Sequence, residues 1–415
     1  MFVTESGKKL PIHDCGCGFY QITYQELDPN QAPNEIAAYE AMLVGAGYAL
    51  FQENEIANNR FFTYVKGDNI IHGNYFANMN EFRIVHGPKT ALGSATPIAE
   101  YERKATPSVS IIGMTDDVLC LVVQLPDGSY IIIDGGWGHS KDWSKTLNKG
   151  LENERVVNYS RNVLVDMGNL LSFLQENAPA GEKPRVTWMI THADPDHITL
   201  PSRFIREYAN QFDLQMVCYN FPNMFNIGLG ESCGSTNIPA NFAAYAADFV
   251  NAVRVRFPEA GHYVYHTGQK LYLPGAEVEF LFSPEDYWPN PMPWMNHTSG
   301  VWRFTIDGKT IMIPGDAEKQ ICNQMVAVFG DYLKSDILQV NHHGANGATL
   351  SFYRKIAPIM CFWACQQYHL DYDNRQTGTS TSYLFNRYLR QKDDIIGHYS
   401  NTETHTVRLP SLEEE

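Results

Sequence analysis

The stretch Arg185-Val186-Thr187-Trp188-Met189-Ile190-Thr191-His192-Ala193-Asp194-Pro195-Asp196-His197 decides how this chain is read. Its first six residues are apolar or β-branched after Arg185 and predict a strand. The strand runs directly into His192, Asp194, Asp196 and His197, four groups able to bind a metal. Crowding carboxylates and imidazoles at the end of a buried strand is costly unless a cation neutralises them. His and Asp together suit a borderline or hard divalent ion such as zinc, manganese or iron. A helix is predicted over 199–212, with Leu200, Phe204 and Tyr208 on one face and Pro201 in its first turn. That helix sets the four groups at a helix N-terminus, where negative charge is favoured.

Three other strand ends have the same form. Ile131-Ile132-Ile133 leads into Asp134-Gly135-Gly136, Ile311-Met312-Ile313 into Pro314-Gly315-Asp316, and Leu338-Gln339-Val340 into Asn341-His342-His343-Gly344. Each is an apolar run closing on a carboxylate or imidazole beside glycine, which lets the backbone turn sharply and approach a neighbour closely. Sites on loops at the ends of sheet strands are the usual α/β arrangement.

The rest of the chain is organised around these strands. From 108 onward, strands are predicted at 109–114, 119–125, 130–133, 185–190, 269–273, 277–282, 301–306, 310–313 and 336–340. Helices are predicted at 161–176, 199–212 and 240–255, and a helical tail after 340. Residues 1–105 read as a separate small α+β unit. A helix over 34–48 is followed by an antiparallel meander at 61–65, 69–76 and 81–85, and 91–107 reads as its linker to residues 106–415. The meander is expected to cap a cleft or to form an oligomer interface.

The ordered motifs Thr191-His-x-Asp-x-Asp-His197, Gly315-Asp-Ala-Glu318 and Asn341-His-His-Gly344 resemble the metallo-β-lactamase superfamily. The carboxylate at Asp194 makes the first motif similar to the hydrolase domain of ComEC-type competence proteins. The resemblance spans residues 109–409. It implies an α+β fold, the αββα sandwich of two mixed sheets flanked by helices, with residues 1–105 as an N-terminal extension. Carried over by position, it implies that His192 and Asp194 hold one divalent ion. Asp196 and His197 would hold a second ion, together with one of His342 and His343. Asp316 would bridge the two, and Asp134 would orient the loop beneath the site. Two candidates compete at the third motif. His297-Thr-x-Gly300 offers His297 as a ligand, whereas Asn296-x-x-Ser299 matches the competence-type pattern, which lacks that histidine.

The resemblance implies a metal-dependent hydrolase using a metal-bound hydroxide, with Asp196, His342 and His343 as catalytic groups and zinc or manganese as cofactor. A phosphodiester or phosphoester is the substrate expected from the competence-like variant. Lactone, lactam or thioester hydrolysis is the alternative within the fold. A diiron redox protein and a degenerate metal-binding scaffold are alternatives of other classes. No Gly-x-Ser-x-Gly elbow is present to supply a serine nucleophile. His139, just beyond Asp134, is a candidate proton donor, and 288–294 a candidate pocket wall. The aromatic and imidazole cluster His262, Tyr263, Tyr265 and His266 reads as structural.

Composition narrows the partners. The 415 residues are 44% hydrophobic and 19% charged, an ordinary globular balance. With 46 acidic and 31 basic residues the net charge is −15, against high-affinity binding of long nucleic acid. Arg185, Arg203, Arg206 and Arg303 are the basic residues nearest the motifs, so a small molecule or short oligonucleotide is the expected substrate. No run approaches the ~20 apolar residues of a membrane span. The eight cysteines lack zinc-finger spacing and read as free thiols of a cytoplasmic protein.

Overall fold

Alternation along the apolar strands builds the layers. In the strand Tyr130–Asp134, Ile131 and Ile133 enter one buried cluster with Val123, Met189, Phe280, Trp302 and Ile313. Tyr130 and Ile132 enter another, with Met167, Trp188 and Phe204. Side chains leave a strand by opposite faces, so a strand apolar on both must lie between two layers. The computed structural model, which describes residues 2–147, 155–226, 239–290, 292–344, 347–366, 388–390, 392–400 and 403–414, shows what these layers are.

An N-terminal sheet comes first. It contains β1 (Lys8–Lys9), β2 (His13–Gly16), β3 (Phe19–Gln25), β4 (Ala49–Ile56), β5 (Asn59–Lys66), β6 (Asn69–Phe76) and β7 (Glu81–Pro88). They lie in the order β1-β3-β7-β6-β5-β4, with β2 on β3. Helix α1 (Ala32–Gly45) covers one face, packing Ile36, Tyr39 and Leu43 against Tyr24, Phe62 and Phe82.

The two central sheets follow. One is formed by β8 (Ser108–Ile111), β9 (Cys120–Gln124), β10 (Tyr130–Asp134), β13 (Arg185–Met189), β14 (Asp213–Tyr219) and β15 (Gly261–Val264). A separate hairpin, β11 (Lys141–Leu147) with β12 (Arg155–Arg161), projects between β10 and β13 in the chain. The other central sheet is β16 (Lys270–Leu273), β17 (Ala276–Phe282), β18 (Val301–Ile306), β19 (Lys309–Ile313), β20 (Ile337–Gln339), β21 (Met360–Trp363) and β22 (Ile396–Tyr399), in that order. The chain then returns to the first central sheet as β23 (His405–Arg408) and β24 (Glu413–Glu414), giving the order β15-β14-β13-β10-β9-β8-β23-β24. Helices α2 (Val163–Glu176), α3 (Pro195–Tyr208) and α4 (Pro239–Arg256) lie outside one sheet, and α5 (Lys319–Phe329) and α6 (Leu350–Ile356) outside the other. This is an αββα sandwich, two mixed sheets flanked by helices, as the ordered motifs implied.

The N-terminal sheet is fastened to this sandwich. Arg83, buried under Phe76, pairs with Glu81 on its own strand and with Asp286 of the sandwich. Asn54 donates to the Gly268 carbonyl (2.9 Å) and Gln52 to the Lys270 carbonyl (3.0 Å). His72 lies on His266, with ring centres 4.0 Å apart, and His13 stacks on Trp288 at 4.1 Å.

Three expectations need correction. Helix α3 begins at Pro195, which takes the first helical position, so Pro201 is inside the helix and not in its first turn. Among the described residues, the chain after 340 is not a continuous helical tail: it holds α6, a short helical stretch at 388–390 and the strands β21 to β24. These strands are two to four residues long, too short to show alternation. Finally, β2, β3 and β4 join the N-terminal meander, where no strands are predicted. Among the described residues, no helix is long and apolar enough to cross a membrane. Seven cysteines are free thiols, and Cys233 lies outside the described residues, as does Pro291 of the 288–294 loop.

Candidate metal centre

The parallel pairs β10 with β13 and β19 with β20 bring four strand ends to one edge of the sandwich. Strand β13 delivers the Thr191–His197 loop, β10 ends on Asp134, β19 leads to Asp316, and β20 leads to His342 and His343. Three of these residues sit in the left-handed region, Asp134 at φ 55°, His342 at 46° and His343 at 53°. Such backbone costs about 1–3 kcal/mol per residue and persists only where the surroundings over-determine it. Close approach is also built in at Gly315. A Cβ there would lie 2.3 Å from Ser299 Oγ and 2.9 Å from the Thr191 side chain.

Asp134 organises the first loop. Fully buried, it accepts through Oδ1 from the Thr191 amide (2.8 Å) and through Oδ2 from Thr191 Oγ1 (2.6 Å) and His197 Nδ1 (2.8 Å). The imidazole of His197 is thereby turned so that Nε2 faces Asp316 Oδ2 (3.2 Å) and His343 Nε2 (3.3 Å). His343 is held in the same way, by Nδ1 on the Ala364 carbonyl (2.9 Å). A carbonyl only accepts and Asp134 is a carboxylate, so both Nδ1 atoms donate. Each ring then turns its Nε2 toward the other and toward the carboxylates, a contact that is relieved either by protons on the two rings or by a cation held between them.

The carboxylates supply the same demand. Asp316 Oδ2 is also 3.4 Å from His343 Nε2 and 3.7 Å from His342 Nε2. Asp196 is 3.5 Å from His343 and 3.9 Å from His197. Asp194 Oδ2 is 3.5 Å from His192 Nε2. Asp194 caps α3 in sequence position, yet its side chain bonds none of the helix amides and is left free for other use. Two buried atoms, His192 Nε2 and Asp316 Oδ1, have no hydrogen-bond partner. A tetrahedral ion with bonds of about 2.0 Å has donor–donor edges of about 3.3 Å, close to most of these separations. Two sets of donors converge, His192 with His197 and Asp316, and Asp196 with His197 and His343. The residues present fit one or two divalent ions.

Electrostatics agree. Burial alone would raise the Asp196 carboxyl, but the His197 and His343 imidazoles outweigh it and bring it down to about 2. Asp316 is held well below the usual range, burial being outweighed by His197, His343 and His342. Conversely, burial is outweighed at His197 and His343, whose imidazoles the carboxylates push well above normal.

The structure separates the remaining candidates. His343 enters the cluster, while His342 lies at its rim, 3.5 Å from Glu318 and with Asn296 beside its ring (3.2 Å). His297 is brought into neither set. Its ring packs against Tyr287 and Trp294 and, although buried, bonds to nothing near the cluster. Asn296 lies instead beside the His342 ring, and Ser299 Oγ accepts from the Asp316 amide (2.9 Å) and lies 3.5 Å from His192 Nδ1. His139 faces Arg161 (3.3 Å) and is not part of the cluster. His262 bonds Tyr219 and His266 bonds Glu285, so the aromatic and imidazole cluster is structural. Arg185, Arg203, Arg206 and Arg303 are each paired with a carboxylate, Asp127, Glu207, Asp248 and Glu279 respectively. Glu318 belongs to a recognisable motif, but the role of the Ala364 carbonyl has no sequence signal because every residue has one.

Comparison with protein-family profiles and with curated protein sequences finds no match. Among solved structures, CmlA, a diiron β-hydroxylase from Streptomyces venezuelae, is similar at 12% identity and a TM-score of 0.38 over 76% of this chain. The match covers 55% of CmlA, so this chain spans about half of that protein's length. A metallo-β-lactamase superfamily protein from Thermotoga maritima is similar at 7% identity and a TM-score of 0.26, over 69% of this chain and 87% of its own. AidC, a dizinc quorum-quenching lactonase, is similar at 13% identity and a TM-score of 0.28, over 75% of this chain and 74% of its own.

Proposed function

We propose that the protein is a metal-dependent hydrolase acting on a phosphodiester or phosphoester. The observation that supports this reading best is the facing pair of Nε2 atoms on His197 and His343, set among the carboxylates of Asp196 and Asp316. His192, Asp194, Asp196, His197, Asp316 and His343 would hold one or two divalent ions, zinc or manganese. Such ions lower the pKa of bound water toward neutrality and polarise a scissile phosphoryl or carbonyl group.

The chain's own residues do the rest. Asp134 and the Ala364 carbonyl hold the two imidazoles in the tautomer that presents Nε2. Asp194 and Asp196 are part-exposed, with side chains 16% and 23% accessible, and mark the open side where a substrate enters. Asp196 accepts a proton there, and His342 at the rim is placed to give one to the leaving group. The arginines beside the motifs in sequence are each paired with a carboxylate, which favours a small phosphoester over a long polyanion.

The test is metal analysis of the purified protein followed by turnover of bis-p-nitrophenyl phosphate beside a chromogenic lactam. The expected result is diesterase turnover with manganese or zinc, lost in Asp196→Ala and Asp316→Ala while the fold persists. Turnover that survives both substitutions would overturn the mechanism. Lactam turnover without diesterase activity would replace the substrate class.

A further inference from the structure

A second group of metal donors lies where the two central sheets end. His398 is on β22, the last strand of one sheet, while His405 and Glu414 are on β23 and β24, the last strands of the other. His405 Nδ1 is 2.9 Å from Glu414 Oε1, and His398 Nδ1 is 3.6 Å from the same oxygen. The two rings are 5.6 Å apart and inclined by 37°, so their nitrogens converge on the carboxylate.

His398 is the telling member. It is only 5% exposed, it lies against Phe362, and its Nε2 is buried without a partner. Its Nδ1 is too far from Glu414 for a hydrogen bond. A buried imidazole nitrogen without a partner is rare, because desolvating it without compensation costs about 1–3 kcal/mol, and one donor atom from each of His398, His405 and Glu414 lies within 4.8 Å of the others. The separations of 2.9 and 3.6 Å bracket the edge of about 3.3 Å that a tetrahedral ion with bonds of about 2.0 Å imposes on its donors.

We infer that His398, His405 and Glu414 form a structural divalent-cation site, distinct from the candidate metal centre. Two imidazoles and a carboxylate suit zinc, with water completing the coordination on the exposed side. The ion clips the edge of one central sheet to the edge of the other. It also anchors β24, which has two residues and one neighbouring strand, too little to stay paired without support.

The test uses full-length protein carrying Asp196→Ala and Asp316→Ala, so that zinc held at the hydrolytic centre does not mask the count. This protein is loaded with zinc, freed of excess, and its zinc measured by mass spectrometry, with affinity from chelator competition. One zinc per chain is expected to remain. Adding His405→Ala or Glu414→Gln is expected to remove it or to weaken it by about 100-fold or more. His405 is part-exposed and Glu414 exposed, and the far-ultraviolet circular dichroism of each variant is the control for fold. His405→Ala in the otherwise unaltered protein is expected to keep hydrolytic turnover while losing one zinc. Zero zinc in the loaded double variant, or a zinc unaffected by His405→Ala and Glu414→Gln, overturns the inference.

Discussion

Replacing Asp134 with Asn isolates the part of the site that acts through position. The carboxylate has three donors on two oxygens, the Thr191 amide on Oδ1, and Thr191 Oγ1 with His197 Nδ1 on Oδ2. Asparagine keeps one oxygen, so its NH2 must meet a donor in either orientation. With the oxygen toward Thr191 N, the amide faces His197 Nδ1, which must then accept. The ring proton moves to Nε2, the atom that faces Asp316 and His343. With the oxygen toward His197, the Thr191 amide at the strand end is stranded, at a cost of about 1–3 kcal/mol. Loss of such a supporting partner weakens metal binding by about 10–100-fold, or about 1.4–2.8 kcal/mol. The assay is zinc competition with a chromogenic chelator at neutral pH, with the melting of the metal-free protein as the control for fold. A zinc affinity within about twofold of the parent would refute the positioning role of Asp134, since the lost hydrogen bond converts to at least about tenfold.

Two further predictions concern stability. Arg83→Met leaves Glu81 and Asp286 buried without their shared cation, and urea denaturation is expected to show a loss of about 3–5 kcal/mol. An unchanged unfolding midpoint would show that the Arg83 ion pairs do not stabilise the attachment of the N-terminal sheet. Asp166 is buried beneath Thr115, and burial raises its carboxyl from 3.8 to about 6. The folded state therefore holds this proton more tightly than the unfolded one. Stability from Asp166 is full below pH 4 and falls as pH rises to about 6. Denaturation midpoints of the parent relative to Asp166→Asn, measured from pH 4 to pH 7, should decline over that range. A flat difference would count against the shift.

Much of the site was legible because its donors lie at strand ends within short, ordered motifs. His192, Asp194, Asp196 and His197 share one loop, and the runs before Asp134, Asp316 and His343 are unbroken apolar strands. The misplacements have local causes. The start of α3 hinges on which of two prolines takes the first turn, and both Pro195 and Pro201 satisfy that preference. The strands β21 to β24 are too short for periodicity, and β23 pairs with β8 across almost the whole chain, a contact that no local pattern encodes.

The sequence by itself determined the donor types, their order and the acidic balance, because these follow from side-chain chemistry along the chain, while the αββα class came from the resemblance that the ordered motifs carry. Only the tertiary structure places His343 rather than His342 beside His197, and Asn296 rather than His297 beside the His342 ring. In each pair the two residues are equally capable neighbours or near neighbours in sequence, and the choice rests on which direction the backbone turns. At His343 the left-handed turn and the Ala364 carbonyl, contributed by a distant strand end, aim Nε2 at His197 and Asp316. At the third motif, Tyr287 and Trp294 take up the His297 ring and leave Asn296 facing the cluster.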